Sequence, residues 1–452
     1  MSKDKVFFVG IGGVGMSRLA IIMNQLGFEV YGSDAESLSA IKMLSPYGIN
    51  VVNSDFSLDK SFAYVVYSSA IPPTDVFIQR AKALELNLKS RGEMLAEIAM
   101  RYKEVVVCGT HGKTTTTAMI GTILGTEYKT NVYVGGKSLA NTFAEDAEYF
   151  VIESDESDKT FLLFSPHLLV ATNIDADHLN AYDNNMDNLK DAFKTLLSKA
   201  SIRVVSLDDT NAFTVSLGVA GKTYYFSLNN KNADAFAESV SYEPDGVRFD
   251  LRTNRELIRG IKMAVYGPKN LSNAVAAALS CHLLGVPYEK IVKGLEKFAM
   301  PSRRLEKKGE VREIVLFDDH ADHPTEVEAT LNALTIHFPS KRIVAVFQPH
   351  RYSRMNLLKE NVAKPFYLAD IVVVSEIFPA FEAPIEGISG EAVVSWIKKQ
   401  NPNKAVYFEK ETDNIPALIA KIAQPGDIVV LLGPGDVGKI SDKILQQLKE
   451  RL

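Results

Sequence analysis

The chain opens on a run of apolar residues, "KVFFV", that breaks at a glycine cluster and resumes as "MSRLAIIMNQLG", where apolar positions recur at helical spacing. A short β-branched run followed by a helix-periodic segment predicts a strand packed beneath a helix. The pattern repeats. "EVYGSD" and "AYVVYSSA" carry it to about Arg91, the latter interrupted by "IPPTD". A second block begins near "KEVVVCG" and holds strands "YFVIES" and "HLLVATN". Its helix "NLSNAVAAALSCHLL" stops at Gly285 with Pro287 beyond, a sound terminator. Residues 202–266 alternate in segments such as "KTYYFSL" and "GVRFDLR", which predict a small antiparallel insert. A third block starts near Pro301 with strands "EIVLFDD", "RIVAVFQ", "DIVVVSE" and "DIVVLLG". Strands alternating with helices predict an α/β protein built on largely parallel sheets.

A length of 452 residues suggests about three domains. Apolar content of 46% with 23% charged residues is that of a globular chain, and the net charge of -5 gives no nucleic-acid footprint. Two distant cysteines, Cys108 and Cys281, have no metal spacing and point to a reducing compartment. No signal-peptide pattern precedes "KVFFV", and no apolar run reaches the ~18 residues that a membrane span needs. The expected address is cytoplasmic, without membrane insertion, as a monomer or homodimer.

Two loops carry candidate chemistry. Gly10, Gly12 and Gly15 form G-x-G-x-x-G between a strand and a helix, where backbone N–H groups can receive a phosphate. Asp34 follows nineteen residues later, at the end of the second strand, the place of a ribose-binding acid in dinucleotide folds. Alone, this favours a nicotinamide or flavin cofactor, or a tight turn with no ligand. The second loop, "GTHGKTTTT", is shorter than the usual phosphate loop because Val107 stands where its first glycine belongs. Its working parts are present: Gly109 and Gly112 for backbone approach, Lys113 for the β- and γ-phosphates, Thr114 for Mg²⁺. Two cradles imply two phosphorylated ligands. A dehydrogenase needs one; a kinase or ATP-driven ligase acting on a nucleotide-linked substrate needs both.

With these two loops the chain resembles the Mur ligase family, in which the shortened loop is the normal ATP site. "GIGGVGMS", "YGSD", "YSSAI", "SRGEMLAEI", "GTHGKTTT", "ESDESD", "NIDADHLNAY", "KNLSNAVAA", "DDHADHPTEV", "QPHRYSR" and "GDIVVLLGPGD" follow the family's order across essentially the whole chain. The resemblance implies a Rossmann-like N-terminal domain over 1–92 for a UDP-sugar. It also implies a central P-loop ATPase-type α/β domain over 93–300 with a small antiparallel insert. A Rossmann-like C-terminal domain over 301–452 would bind the amino acid and close over the site. The implied reaction transfers the γ-phosphoryl of ATP to the carboxylate of UDP-N-acetylmuramate. An amino acid's amine, expected to be that of L-alanine, then attacks the acyl phosphate.

Residue by residue, the resemblance places Gly10, Gly12, Gly13, Gly15, Met16, Ser17, Asp34, Ser69 and Arg91 on the UDP-sugar. Gly109, Thr110, Gly112, Lys113, Thr114, Thr115, Asn270, Asn273 and Arg304 fall on ATP, and Thr114, Glu153 and His178 on Mg²⁺. His323, Arg351 and Arg354 join Lys113 as catalytic candidates, and His320, Asp322, His350, Arg351 and Arg354 line the amino-acid site. Arginine's planar fork suits that substrate's carboxylate. Read without the family, Asp318–Glu326 suggests a metal cluster or a helix cap ahead of Pro324. Against the family's D-D-Y-G-H-H-P-T-E, His320 replaces tyrosine, Ala321 glycine and Asp322 the first histidine. Lys269 and Asn180 are further departures, standing where the family often has histidine and aspartate. Other readings are the same ligation with another amino acid, a recycling ligase that attaches a tripeptide, an NAD(P)-dependent oxidoreductase, and a nucleotide-binding regulator.

Overall fold

The computed structural model describes residues 4–35, 37–134, 143–176 and 179–450. His178, expected to bind metal, and the side chain of Asn180 lie outside the described residues.

The first sheet has five strands in the order Asn50–Val51, Glu29–Ser33, Lys5–Val9, Phe62–Tyr67 and Leu88–Ser90. All its pairings are parallel. Parallel neighbours need crossover segments, and the helix Val14–Gln25 supplies the first of them. The chain reverses its winding at Lys5–Val9, between the second and fourth strands, so a crevice opens at the carboxyl end of that strand. The glycines of "GIGGVG" occupy that end. Phe7, Phe8, Val65 and Val66 are buried, as both faces of a parallel sheet require.

The second sheet has nine strands, and its parallel part runs Ala235–Glu243, Thr223–Ser227, Ile202–Ser206, Leu168–Ala171, Lys103–Cys108, Tyr149–Glu153 and Thr130–Tyr133. Strands Gly246–Thr253 and Leu257–Met263 extend it at one edge. Here the structure differs from the expected insert. Thr223–Ser227 pairs in parallel with Ile202–Ser206 because the helix Thr210–Leu217 crosses between them. "KTYYFSL" is a partly exposed strand with three further strands beyond it in the sheet, not a hairpin arm.

The third sheet has six strands in the order Glu306–Val311, Ile314–Asp319, Ile428–Leu432, Ile343–Phe347, Ile371–Val374 and Ala405–Phe408. Only its first pairing is antiparallel. Its central strands are apolar along their whole length and completely buried. By contacts the chain forms two compact units. One spans 1–238, 250–261 and 272–298 and holds the first sheet and most of the second; the other spans 239–249, 262–271 and 299–452.

Candidate functional site

In the first unit, Gly10 turns the chain out of its strand with φ of 80°, a conformation that disfavours a side chain. The N–H groups of Gly10 and Ile11 both donate to Ser33 O, at 2.9 and 3.0 Å, which pins the loop to the neighbouring strand. Gly12 N–H donates to Asp34 Oδ2 at 2.7 Å, and a Cβ on Gly12 would sit 2.8 Å from that carboxylate. Asp34 therefore shapes the loop itself. Gly13 caps the helix Val14–Gln25. Met16 and Ser17 are buried in its first turns, with the Ser17 hydroxyl donating to Val14 O at 3.1 Å. Ser69 is exposed just past the strand Phe62–Tyr67.

Arg91 opens the helix Arg91–Ala99, whose start is fixed by a capping box between Ser90 and Glu93. Its guanidinium donates to Tyr133 Oη at 3.2 Å and lies 3.6 Å from Asp158. Tyr133 Oη in turn donates to Gly15 O at 3.1 Å. A Cβ on Gly15 would come within 3.1 Å of both Arg91 and Tyr133. The first glycine loop is thus tied to the acid-rich segment "ESDESD" of the second sheet.

The second loop leaves the strand Lys103–Cys108 and becomes the helix Lys113–Leu124. Gly109 and Gly112 have φ of 128° and 83°. A Cβ on Gly109 would overlap Thr172 Oγ1, and one on Gly112 would sit 2.7 Å from Asn273 Oδ1. Both glycines are therefore obligatory on two counts, backbone and space. Asn173 grips the loop with a reciprocal pair: its Oδ1 accepts from His111 N–H and its Nδ2 donates to His111 O, each at 2.8 Å. Thr172 Oγ1 donates to the same carbonyl at 2.7 Å, and Asp175 N–H donates to Thr110 Oγ1 at 2.9 Å. These bonds fix the loop at the N-terminus of the helix Lys113–Leu124, an end that favours an anion.

Lys113 Nζ lies 3.0 Å from Glu156 Oε2, 3.8 Å from Asp155 Oδ1 and 3.2 Å from Thr110 O. Burial alone would lower the lysine, but the charges of Glu156 and Asp155 hold it above its usual range. Burial pushes Glu156 up, and Lys113 opposes. Thr114 Oγ1 donates to Glu153 Oε1 at 2.6 Å. Among the described residues no group of three or more His, Cys, Asp and Glu side chains is arranged as a metal site. Thr114 and Glu153 are nonetheless adjacent hard oxygen donors. That pair suits Mg²⁺, which keeps much of its water and takes few protein ligands.

In the second unit, the strand Ile314–Asp319 delivers two buried acids. Arg303 donates to Asp318 Oδ2 at 3.0 Å and to Pro434 O at 3.0 Å, so it locks the end of one strand to the loop after another. Asp319 accepts from Ala321 N–H at 2.9 Å and from the Thr330 hydroxyl at 3.1 Å; burial raises it to about 6 against the opposing charge of Arg304. The same surroundings, with Arg304 and Arg303, push His320 down to about 4. Arg304 thus stands beside Asp319 and His320. His323 caps the helix Pro324–His337, its Nδ1 accepting from Thr325 N–H at 3.4 Å. The nine-residue segment that suggested a metal cluster is a strand end and a helix cap.

Across the sheet's winding reversal, the strand Ile343–Phe347 leads to His350 and Arg351. Arg351 has φ of 63°, a left-handed backbone rare for a residue with a side chain, and its N–H donates to Phe378 O at 2.9 Å. Arg354 Nη1 donates to Asp322 Oδ2 at 2.5 Å, and His350 Nδ1 lies 3.3 Å from the same oxygen. Four of the five residues expected to line the amino-acid site, His350, Arg351, Arg354 and Asp322, are thereby gathered at one carboxyl edge. Asn273, in the helix Gly267–Leu283, packs against Gly112 of the second loop, whereas Asn270 donates to the carbonyl of Tyr266, just ahead of that helix, at 2.8 Å.

Sequence reasoning missed Asn173, Glu156 and Arg303. A signal for Glu156 existed in the doubled acid of "ESDESD", but spacing does not tell which carboxylate faces inward.

Residues 5–103 match the model for the Mur ligase family catalytic domain, 107–281 the Mur ligase middle domain, and 303–435 the Mur ligase glutamate ligase domain. A UDP-N-acetylmuramate–L-alanine ligase of Sulfurihydrogenibium sp. is 37% identical over 99% of this chain and 98% of its own. One of Dictyoglomus turgidum is 35% identical over 98% of this chain and 97% of its own. The crystal structure of UDP-N-acetylmuramate-alanine ligase from Thermotoga maritima superposes with a TM-score of 0.81 at 26% identity, covering 99% of this chain and all of that one. With three domains in the family's order and relatives of this likeness along its whole length, the chain belongs to the Mur ligase family.

Proposed function

We propose that this chain is an ATP-dependent ligase that joins the carboxylate of UDP-N-acetylmuramate to the amine of L-alanine in peptidoglycan precursor synthesis. The observation that carries the reading is the pair of glycine loops in one unit, each opening a helix: the first reaches through Tyr133 and Arg91 to Asp158, in the same acid-rich segment whose Glu156 pairs with Lys113 of the second. Two phosphate cradles fit one nucleotide that is consumed and one that is extended. The names of the relatives point the same way.

A carboxylate oxygen is a poor leaving group, so the bond needs activation. The muramoyl carboxylate attacks the γ-phosphorus of ATP; a P–O bond forms, the bond to the bridging oxygen breaks, and ADP departs. Lys113 neutralises charge on the transferring group, and the N–H groups of the first helical turn hold the β-phosphate. Thr114 and Glu153 would hold Mg²⁺, which supplies charge neutralisation when bound. The neutral amine of the acceptor then attacks the acyl carbon, the C–N bond forms, inorganic phosphate leaves, and the nitrogen gives up a proton. Arg351 and the Asp322–Arg354 pair orient the acceptor. His323, at the mouth of the helix Pro324–His337, is the group we place nearest the amine. Both steps gather anions, and fixed cations in a water-poor site lower their barrier. Cys108 and Cys281, both buried free thiols, fit the reducing cytoplasm in which we place the reaction.

The test is phosphate release from ATP with UDP-N-acetylmuramate and each of the twenty amino acids. Release that requires both the sugar nucleotide and L-alanine is expected. Direct competition between a uridine sugar and ATP for one site would overturn the reading.

A further inference from the structure

The turn after the strand Ile314–Asp319 carries Asp322 inward until only 9% of its side chain is exposed. Its Oδ2 receives Arg354 Nη1 at 2.5 Å and sits 3.3 Å from His350 Nδ1. The His350 ring is fixed in turn by stacking on Phe378, with centroids 5.9 Å apart and planes at 17°. Burial pushes Asp322 up, but the bond to His350 and the charge of Arg354 outweigh it and hold the acid below its usual range, against repulsion from Glu326. Asp322 is therefore an anion at neutral pH, buried and matched to a cation.

That cation is one of the two arginines expected to receive the acceptor's own carboxylate. An incoming carboxylate has two ways to use Arg354. It can displace Asp322, which leaves a buried anion with His350 alone in place of its arginine. It can instead share the guanidinium with Asp322, which sets two like charges on one cation. A carboxyl blocked as an amide meets neither penalty, and its N–H offers a donor to the Asp322 carboxylate. Histidine at this position, as in the family pattern, would leave Arg354 without this internal anion.

We propose that Asp322 is a specificity-determining residue that occupies Arg354 from within, so that the acceptor site takes amines whose neighbouring carboxyl is blocked as an amide about as readily as free amino acids. The proposal rests on the ligase reading above and deepens it by naming the acceptor class.

Two measurements on the full chain separate the two ideas. In the first, phosphate release is followed with L-alanine and with L-alaninamide, for the wild type and for Asp322→Asn. The wild type is expected to favour L-alanine by less than ~10-fold in kcat/KM. In Asp322→Asn that preference should rise by ~10-fold or more, through a lower KM for L-alanine. In the second, L-alanine is titrated calorimetrically into the protein with no nucleotide present, and its Kd should fall ~10-fold in Asp322→Asn. Should the asparagine variant fail to fold, Asp322→Ser takes its place in both. A wild type that already prefers L-alanine by more than ~10-fold overturns the proposal, as does an unchanged Kd for L-alanine in the variants. Absence of turnover with either amine overturns the ligase reading, and the calorimetric comparison then still decides the role of Asp322.

Discussion

Lys113 Nζ lies 3.0 Å from Glu156 Oε2, on a side chain with no exposed surface. The phosphate-loop lysine is thereby already paired, inside the protein, with a carboxylate from the segment after a neighbouring strand. A buried pair of this kind stabilises little by its presence, because desolvating both ions offsets their attraction. Removing one partner is costly. The pair also fixes where the ammonium stands, and on the proposed reading an incoming γ-phosphate would compete with Glu156 for it.

Lys113→Ala should reduce phosphate release by ~10³-fold, the scale of losing a fixed charge at a transferring phosphoryl group. It should also lower unfolding stability by about 3–5 kcal/mol, since Glu156 is left buried and unmatched. Adding Glu156→Gln should recover most of that stability and none of the turnover. Denaturant unfolding and phosphate release measure the two separately. Binding of UDP-N-acetylmuramate should persist in Lys113→Ala; its loss would contradict two independent sites.

Asn173→Ala should raise the KM for ATP by ~10-fold and cost about 1–3 kcal/mol of stability, because the N–H and carbonyl of His111 both lose a partner. Thr172 keeps one bond to that carbonyl, so the loop should loosen rather than collapse. Asn173→Asp retains the acceptor for the His111 N–H and should fall between the two. An unchanged ATP KM in Asn173→Ala would show that the reciprocal pair does not set the loop.

Gly12→Ala places a Cβ 2.8 Å from the Asp34 carboxylate and should raise the KM for the sugar nucleotide by ~10-fold while sparing that for ATP. Asp34→Gly in the same chain removes the obstruction and should restore part of the loss. Titration calorimetry with UDP-N-acetylmuramate reads both variants. Equal effects on the two ligands would place the damage elsewhere than the first loop.

The pair Asp319 and His320 gives a pH dependence whose sign follows from burial. Asp319 is raised to about 6, so between pH 4 and 6 the folded chain holds a proton that the unfolded chain has lost. Its contribution is present below pH 4 and is lost as pH rises through 6, on the order of 3 kcal/mol. His320 is pushed down to about 4 and acts in the opposite sense, its contribution being present at pH 7 and lost as pH falls towards 4. The histidine is exposed on one side, where water screens it, so its share is smaller. Asp319→Asn should therefore be more stable than the wild type at pH 7 and equal to it at pH 4. Guanidinium titrations at the two values measure this. A variant that is less stable at pH 7 would mean that the bonds from Ala321 and Thr330 outweigh the buried charge.

Much of this protein was written in its local pattern. Apolar runs separated by helix-periodic segments predicted the strands Lys5–Val9, Lys103–Cys108, Ile343–Phe347 and Ile428–Leu432, because a strand buried on both faces has to be apolar throughout. The two glycine loops were equally legible, since positive φ is a backbone demand that glycine alone meets cheaply. Direction was not: Thr223–Ser227 looks the same whether its neighbour runs with it or against it, and only the crossover helix Thr210–Leu217 made it parallel. Partners were not legible either. Lys113 finds Glu156 across 43 residues, His111 finds Asn173 across 62, and Arg354 finds Asp322 across 32. Residue type announces that a lysine, an amide or a carboxylate needs company. Which one answers is settled where strand ends from distant parts of the chain meet at a sheet edge, a proximity that no periodicity encodes.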